Sequence, residues 1–303
     1  MPDSENALNE LFTIRDFVRY GVTLFNGEGL YFGHGTDNAL DEATALVLYA
    51  LHLPHDLPGH FMESTLLENE KSDILDLFER RVQDRTPLAY LTHEAWFAEL
   101  QFYVDNRVLV PRSPIAELIT SQFEPWVDPG KLQHVLDMCT GSGCIAIATA
   151  YALPEATVDA VDISQDALDV AEVNVTQHDM AEQVNLIKSD LFENLEGRKY
   201  DLIVTNPPYV DADEMASLPN EYHQEPELGL ASGEDGLDAI RVILKQAANY
   251  LTPEGVLIAE VGASEEALQS AYPEVPFMWF SFEQGGSGVF LLSRSQLDQY
   301  FLS

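Results

Sequence analysis

The sequence is poor in cysteine and in positive charge, and it contains no long apolar run. Each shortage excludes something. Its two cysteines, Cys139 and Cys144, sit in one glycine-containing loop, so no disulfide framework is expected, and their spacing is not that of a metal site. His52, His55 and His60 lie close together, but no cysteine or paired carboxylate completes a ligand set around them; they are expected to be solvated, and no metal is expected. No stretch approaches the roughly 18 consecutive apolar residues of a membrane span, so at 46% hydrophobic residues the chain should fold as a soluble protein away from membranes. The opening Met1-Pro2-Asp3-Ser4-Glu5-Asn6 is acidic and does not resemble an export signal, which makes a cytoplasmic location the expectation.

The shortage of positive charge is the most lopsided feature. Against 51 Asp plus Glu there are 15 Lys plus Arg, a formal net charge of -36. Such a surface repels phosphate backbones and argues against free nucleic acid as a partner, because nucleic-acid binders gain affinity from clustered cations that displace counterions. A basic protein would be attracted. Salt-rich surroundings explain the acidity equally well.

What the sequence does contain is organised around Tyr200-Asp201-Leu202-Ile203-Val204-Thr205-Asn206-Pro207-Pro208-Tyr209. The apolar, β-branched first half reads as a buried strand, and the paired prolines force it to end at Asn206. A side chain at the carboxyl end of a buried parallel strand faces the crevice where open α/β sheets bind ligands. Prolines donate no N–H, so this turn is rich in acceptors. The Asn206 side-chain oxygen and a neighbouring carbonyl can grip both hydrogens of a planar –NH2 group while the Tyr209 ring lies on its plane. Asn-Pro and Pro-Pro are also ordinary strand-ending turns, so the motif needs support from its surroundings.

That support comes from upstream. His134 to Met138 reads as a strand running into Cys139-Thr140-Gly141-Ser142-Gly143, followed by an Ala/Ile-rich helix. Glycines at 141 and 143 let a ligand approach the backbone, and the helix start offers free N–H groups, although the three-glycine dinucleotide fingerprint is not met. The next strand, Ala156 to Ile163, carries Asp162 at its end, where a carboxylate can receive two ribose hydroxyls. After a helix at 165–177 and a strand at 184–188, Asp190 is placed to accept an adenine amino group, with Leu191 and Phe192 as apolar contacts to the base. Any one of these acids could be a solvated surface charge; three at successive strand ends point to a nucleoside site.

The rest of the chain supplies the frame. Helices are expected over 6–25, 37–51 and 61–82, the last with a possible break at its acidic middle, giving a helical domain over 1–85. Aromatic alternation around Trp96-Phe97-Ala98 suggests a β-hairpin bridging 86–105, and Val108-Leu109-Val110 reads as a strand opening the catalytic domain of 106–303. Asp211 to Asp238 is a long insertion of the kind that covers a site or is mobile. A helix at 237–251 and strands at 255–262, 277–282 and 289–293 complete an α/β sheet of seven strands with an antiparallel close.

Taken together, Pro87-Leu88-Ala89-Tyr90, Val110-Pro111-Arg112, Asp137 to Gly143, Asn206 to Tyr209, Glu225-Pro226 and Gly236-Leu237-Asp238 resemble the protein-(glutamine-N(5)) methyltransferases from about Thr86 to the end. Of two branches that share these motifs, one acting on release factors, the turn Pro111-Arg112-Ser113-Pro114 and Trp96-Phe97-Ala98 resemble the branch that modifies ribosomal protein uL3. The resemblance implies a class I, Rossmann-like fold, S-adenosylmethionine as methyl donor, and a glutamine side chain of a protein loop as acceptor. It implies that Asn206, Pro207 and Tyr209 carry catalysis, and that Pro208, Arg112 and Glu225 join them around the substrate. The bland alternative for Arg112 is that it only caps or pairs with acids. For the methyl donor it implies Asp137, Cys139, Thr140, Gly141, Gly143, Asp162, Ile163, Asp190, Leu191, Phe192 and Asn206. Cys139 stands where the release-factor branch commonly has glycine, and no histidine at a telling spacing suggests a catalytic thiol. Two other readings fit the same grip: methylation of a nucleic-acid exocyclic amine, and a cofactor-binding protein without activity.

Overall fold

The computed structural model describes residues 4–301. Its contacts divide the chain into two units, one formed by residues up to Glu94 together with Pro219–Gln224, the other by Ala95–Leu218 and everything from Glu225 on.

The first unit is helical: α1 (Ser4–Glu10), α2 (Ile14–Gly27), α3 (Ala39–Ala50), α4 (Glu68–Gln83) and the short α5 (Leu88–Thr92). The single helix expected over 6–25 is two. Thr13 interrupts it with a capping box, its hydroxyl accepting from the Asp16 N–H at 3.2 Å while the Asp16 carboxylate accepts from the Thr13 N–H at 2.9 Å. The helix expected from 61 starts later. A 3-10 turn occupies Gly59–Glu63, and α4 begins at Glu68, with the Glu70 carboxylate accepting from the Leu67 N–H at 2.7 Å. The helices close on Phe17, Phe25, Leu46, Ile74 and Phe78, all fully buried. Gly21 is the point of closest approach, since a Cβ there would lie 2.7 Å from the Phe78 ring and 2.9 Å from Ala43.

One charged network lies inside this apolar core. Arg81 of α4, 1% exposed, donates to Glu42 of α3, to the Tyr31 carbonyl at 2.7 Å, and to Glu221 at 3.2 Å. Glu221 arrives from the long insertion, so residues 219–224 are held in the helical unit by a buried ion pair. Nothing in sequence spacing links positions 42, 81 and 221.

The second unit begins with the hairpin β1 (Ala95–Phe97) and β2 (Leu100–Phe102), turned by Ala98 and Glu99 at φ 47° and 66°. Two left-handed residues give the hairpin the twist its strands require. Val108-Leu109-Val110 is not a strand. It joins no sheet, and the Val110 N–H donates instead to the Glu225 carboxylate at 2.9 Å.

There follow α6 (Ile115–Thr120), β3 (His134–Met138), α7 (Cys144–Ala152), β4 (Thr157–Asp162), α8 (Gln165–Gln177), β5 (Val184–Lys188), β6 (Tyr200–Thr205), α9 (Ala212–Met215), α10 (Asp238–Gln246), β7 (Leu251–Glu260), α11 (Glu265–Ala271), β8 (Met278–Trp279), β9 (Val289–Ser293) and α12 (Arg294–Phe301). One seven-stranded sheet results, in the order β5-β4-β3-β6-β7-β9-β8. The strands β3 to β7 are parallel and β9 runs antiparallel to both β7 and β8, as the class I methyltransferase architecture requires. The closing strand expected over 277–282 is cut to two residues, and α12 follows where no helix was expected.

Strand order reverses between β3 and β6, which is where an open α/β sheet leaves a crevice above the carboxyl ends of its strands. Register brings those ends level: Met138 pairs with Val161 on one side and Thr205 on the other, and Thr205 with Ala259 of β7. The Thr205 hydroxyl also donates to the Met138 carbonyl at 2.7 Å, locking the two ends beside the switch point.

Candidate active site

A cavity of about 470 Å3 opens above those strand ends, within the second unit. Of the residues expected around a methyl donor, it is lined by Cys139, Thr140, Gly141, Asp162, Ile163, Asp190 and Leu191; of those expected around the substrate, by Asn206, Pro207, Pro208, Tyr209 and Arg112. Residues scattered over a hundred positions of sequence thus share one wall-to-wall space.

The floor is built from the glycine loop. Cys139 and Gly141 both take the left-handed conformation, at φ 62° and 53°, which turns the chain sharply off β3. A cysteine tolerates that conformation at a cost that glycine escapes. The turn is fixed from below by Asp137, whose carboxylate accepts from the Thr140 hydroxyl at 2.5 Å and the Ala146 N–H at 3.0 Å. Burial pushes the Asp137 carboxyl up to about 7. From the side, the loop is fixed by Asp162 at the end of β4, which accepts from the Gly141 N–H and the Ser164 N–H, each at 2.9 Å. The Asp162 carboxylate lines the cavity, and a carboxylate offers about four lone-pair directions, more than these backbone donors occupy.

Four expected site residues lie outside the cavity lining, and each has another physical role. Asp137 is fully buried beneath the loop and shapes it. Gly143, at φ 80°, starts α7 where a Cβ would stand 3.2 Å from that of Ala171, so its absent side chain serves the packing of α7 on α8. Phe192, 1% exposed, is a core residue stacked on Tyr250 with ring centroids 4.5 Å apart, while Leu191 lines the cavity. Glu225 is buried and grips Arg112 through two bonds of 2.6 and 2.7 Å. Arg112 is therefore paired with an acid, the alternative its sequence left open, and together with the Val110 N–H bond the pair pins the front wall of the cavity.

The far wall is the Asn-Pro-Pro-Tyr turn. The Asn206 side-chain oxygen is buried and accepts no hydrogen bond; of the six such buried side-chain atoms among the described residues, it alone belongs to a residue that lines the cavity. An orphaned acceptor costs about 1–3 kcal/mol, so a site that retains one is prepared for a donor from outside. Tyr209 is fixed at both ends. Its hydroxyl donates to Glu260 at 3.3 Å, and its carbonyl accepts from the Ser264 hydroxyl at 2.8 Å. Burial, and then the Glu260 charge, push the Tyr209 phenol upward, so it stays protonated. The Cys139 thiol is also pushed up, by burial and the nearby carboxylates, which removes it as a nucleophile.

Comparison with known proteins fits this geometry. The "Methyltransferase small domain" family matches residues 117–220, which include the glycine loop and the Asn-Pro-Pro-Tyr turn. The ribosomal protein uL3 glutamine methyltransferase of Neisseria gonorrhoeae is 53% identical over 96% of this chain and 97% of its own length. Its counterpart in Neisseria meningitidis serogroup A is 53% identical over 96% of both. This chain belongs to the uL3 glutamine methyltransferase family. Among solved structures, the hMettl16 catalytic domain in complex with MAT2A 3'UTR hairpin 1 superposes on 82% of this chain and 91% of that one, with a TM-score of 0.50 and 15% identity, a likeness of fold alone.

Two buried polar residues that bear on the site of this family member escape sequence reasoning. Asn174 of α8 donates to the Ser142 carbonyl at 2.9 Å and to the Tyr103 carbonyl at 3.0 Å, tying the glycine loop to the chain leaving the hairpin. Glu260, at the end of β7, accepts from Ser113 at 2.5 Å and from Tyr209. A signal for Glu260 does exist in the sequence, since like Asp162 it is an acid that closes an apolar strand.

Proposed function

We propose that this protein transfers the methyl group of S-adenosylmethionine to the side-chain amide nitrogen of a glutamine in ribosomal protein uL3. The observation that carries the reading is the buried, unpartnered Asn206 oxygen in the cavity wall, followed by two residues that cannot donate. Asn206 accepts one amide hydrogen, the Pro207 carbonyl the other, and the Tyr209 ring lies on the amide plane. An amide nitrogen is a poor nucleophile because its lone pair is delocalised. Orientation and exclusion of water therefore carry the burden, and no general base is required while the proton can pass to solvent.

The opposite half of the cavity fits the methyl donor. Asp162 offers free lone pairs to the ribose, Asp190 and Leu191 stand where the base would lie, and the left-handed Gly141 leaves open space above the backbone. When bound, S-adenosylmethionine supplies an electrophilic methyl on a sulfonium. The helical unit serves in recognition of the protein substrate, and the acidic surface favours a basic one such as uL3 and disfavours RNA. A ribosomal protein as substrate assigns the reaction to the cytoplasm; separately, no helix among the described residues is long and apolar enough to cross a membrane.

Labelled S-adenosylmethionine offered with uL3, a peptide release factor or ribosomal RNA tests the assignment. Label in a uL3 glutamine is expected, and label only in the factor or the RNA would overturn it. Asn206→Ala is expected to keep S-adenosylmethionine affinity within a few-fold and to lose transfer by at least about a hundredfold. Unchanged turnover would remove the amide-gripping role.

A further inference from the structure

Tyr209 lines the cavity, and its ring is held by residues outside that lining. From the end of β7 the chain runs through Glu260, Gly262 and Ser264, and each meets a different part of Tyr209. The Glu260 carboxylate, 4% exposed, accepts the phenol hydroxyl on one oxygen and the Ser113 hydroxyl on the other, at 3.3 and 2.5 Å. Gly262, at φ 45°, lies against the ring: a Cβ there would stand 2.5 Å from it. Ser264 donates to the Tyr209 carbonyl at 2.8 Å. From the other side Gly236 closes in, where a Cβ would fall 2.3 Å from the same carbonyl oxygen. Tyr209 thus has its tip, face and backbone each fixed by an element other than its own turn.

We propose that Glu260 is a positioning residue for methyl transfer, holding the Tyr209 ring at the angle that keeps the acceptor amide in line with the methyl group, with Gly262 admitting the ring and Ser113 orienting the carboxylate. Glu260 does not line the cavity and touches neither reactant; it acts through Tyr209. A buried carboxylate with two hydroxyl donors is a rigid anchor, because neither oxygen can turn without leaving a donor unpaired. The proposal rests on the reading of Tyr209 as the surface against which the acceptor amide packs.

The test is a double-mutant cycle read on kcat, KM for uL3 and Kd for S-adenosylmethionine. Glu260→Leu and Tyr209→Phe are each expected to lower kcat by roughly ten- to a hundredfold with the cofactor Kd within twofold, because only the ring's setting changes. The double variant is expected to be no worse than the poorer single variant within about twofold. Glu260→Gln, which keeps an acceptor for the phenol, is expected to recover most of the rate. Losses that multiply in the double variant, or an unchanged kcat for Glu260→Leu, would overturn the proposal. Should Glu260→Leu fail to fold, Tyr209→Phe decides, since it removes one oxygen and little else: an unaltered kcat overturns the anchor. Tyr209→Ala separates this inference from the reading beneath it. If that variant keeps full turnover, the packing role of the ring is wrong; if it loses turnover while Glu260→Leu and Tyr209→Phe do not, only the anchor is.

Discussion

At the scale of the residue, the site is a set of side chains each fixed by a partner that the sequence does not name. Asp162 and Asn206 were legible because strand ends in a parallel sheet converge, and the rule needs only local pattern. Phe192 and Gly143 do not line the cavity, because pattern does not say which way a side chain turns once helices pack: one lies in the core against Tyr250 and the other under α8. Cys139 gives a direct check. Its left-handed backbone favours glycine by about 1 kcal/mol, which offsets the packing a thiol provides. Cys139→Gly is expected to change unfolding free energy by less than ~1 kcal/mol in a urea titration and to retain methyl transfer. A hundredfold loss of transfer with intact cofactor binding would bring back a chemical role for the thiol.

At the scale of the element, what matters is how the insertion between β6 and α10 is tied down. Its length announced a covering segment, but its anchors are tertiary. Glu221 meets Arg81 inside the helical unit, and Glu225 meets Arg112 and the Val110 N–H inside the catalytic unit. Removing Arg81 leaves buried Glu42 with the Thr36 hydroxyl but no cation, and Glu221 with the Tyr31 N–H and only the more distant Arg85, at 3.6 Å. Arg81→Ala is expected to cost about 3–5 kcal/mol and to open the insertion to limited proteolysis. Wild-type resistance to protease would count against the anchor. Arg112→Ala leaves Glu225 buried without its cation, though Arg112 is itself partly exposed and solvent tempers the loss. About 2 kcal/mol of destabilisation and a raised KM for the protein substrate are expected, read by thermal melting and initial rates.

At the scale of the whole molecule, charge dominates. With a net charge of -36 the folded chain repels itself, and added salt screens that repulsion over a distance of about 10 Å at 0.1 M. The melting temperature is therefore expected to rise between low salt and about 1 M sodium chloride, while affinity for a basic substrate falls. The buried carboxyls add a pH dependence of definite sign. Asp137 and Glu260 sit near 7 when folded, above their ordinary values of 3.8 and 4.5, so the folded state binds protons that the unfolded state has released. Their stabilising contribution is complete below about pH 4 and is lost as pH rises through about 7. Thermal scans should accordingly show lower stability at pH 8 than at pH 5.5, and Asp137→Asn should flatten that difference. Carboxylates that hydrogen-bonded arginines hold below their ordinary value, such as Asp105 and Asp235, do not titrate between pH 5.5 and 8 and do not reverse the sign.

The sequence by itself determined the parallel strands, the groups at their carboxyl ends and the chemical character of the ligand wall, because strand ends, glycine turns and paired prolines are local instructions read within a few residues. Only the tertiary structure decided which acids meet which hydroxyls and cations. The bonds of Arg81 to Glu221, Arg112 to Glu225 and Tyr209 to Glu260 join residues far apart in the chain. Their pairing follows from the burial of surrounding apolar surface, which brings polar groups into a space without water and leaves each with one another as partners.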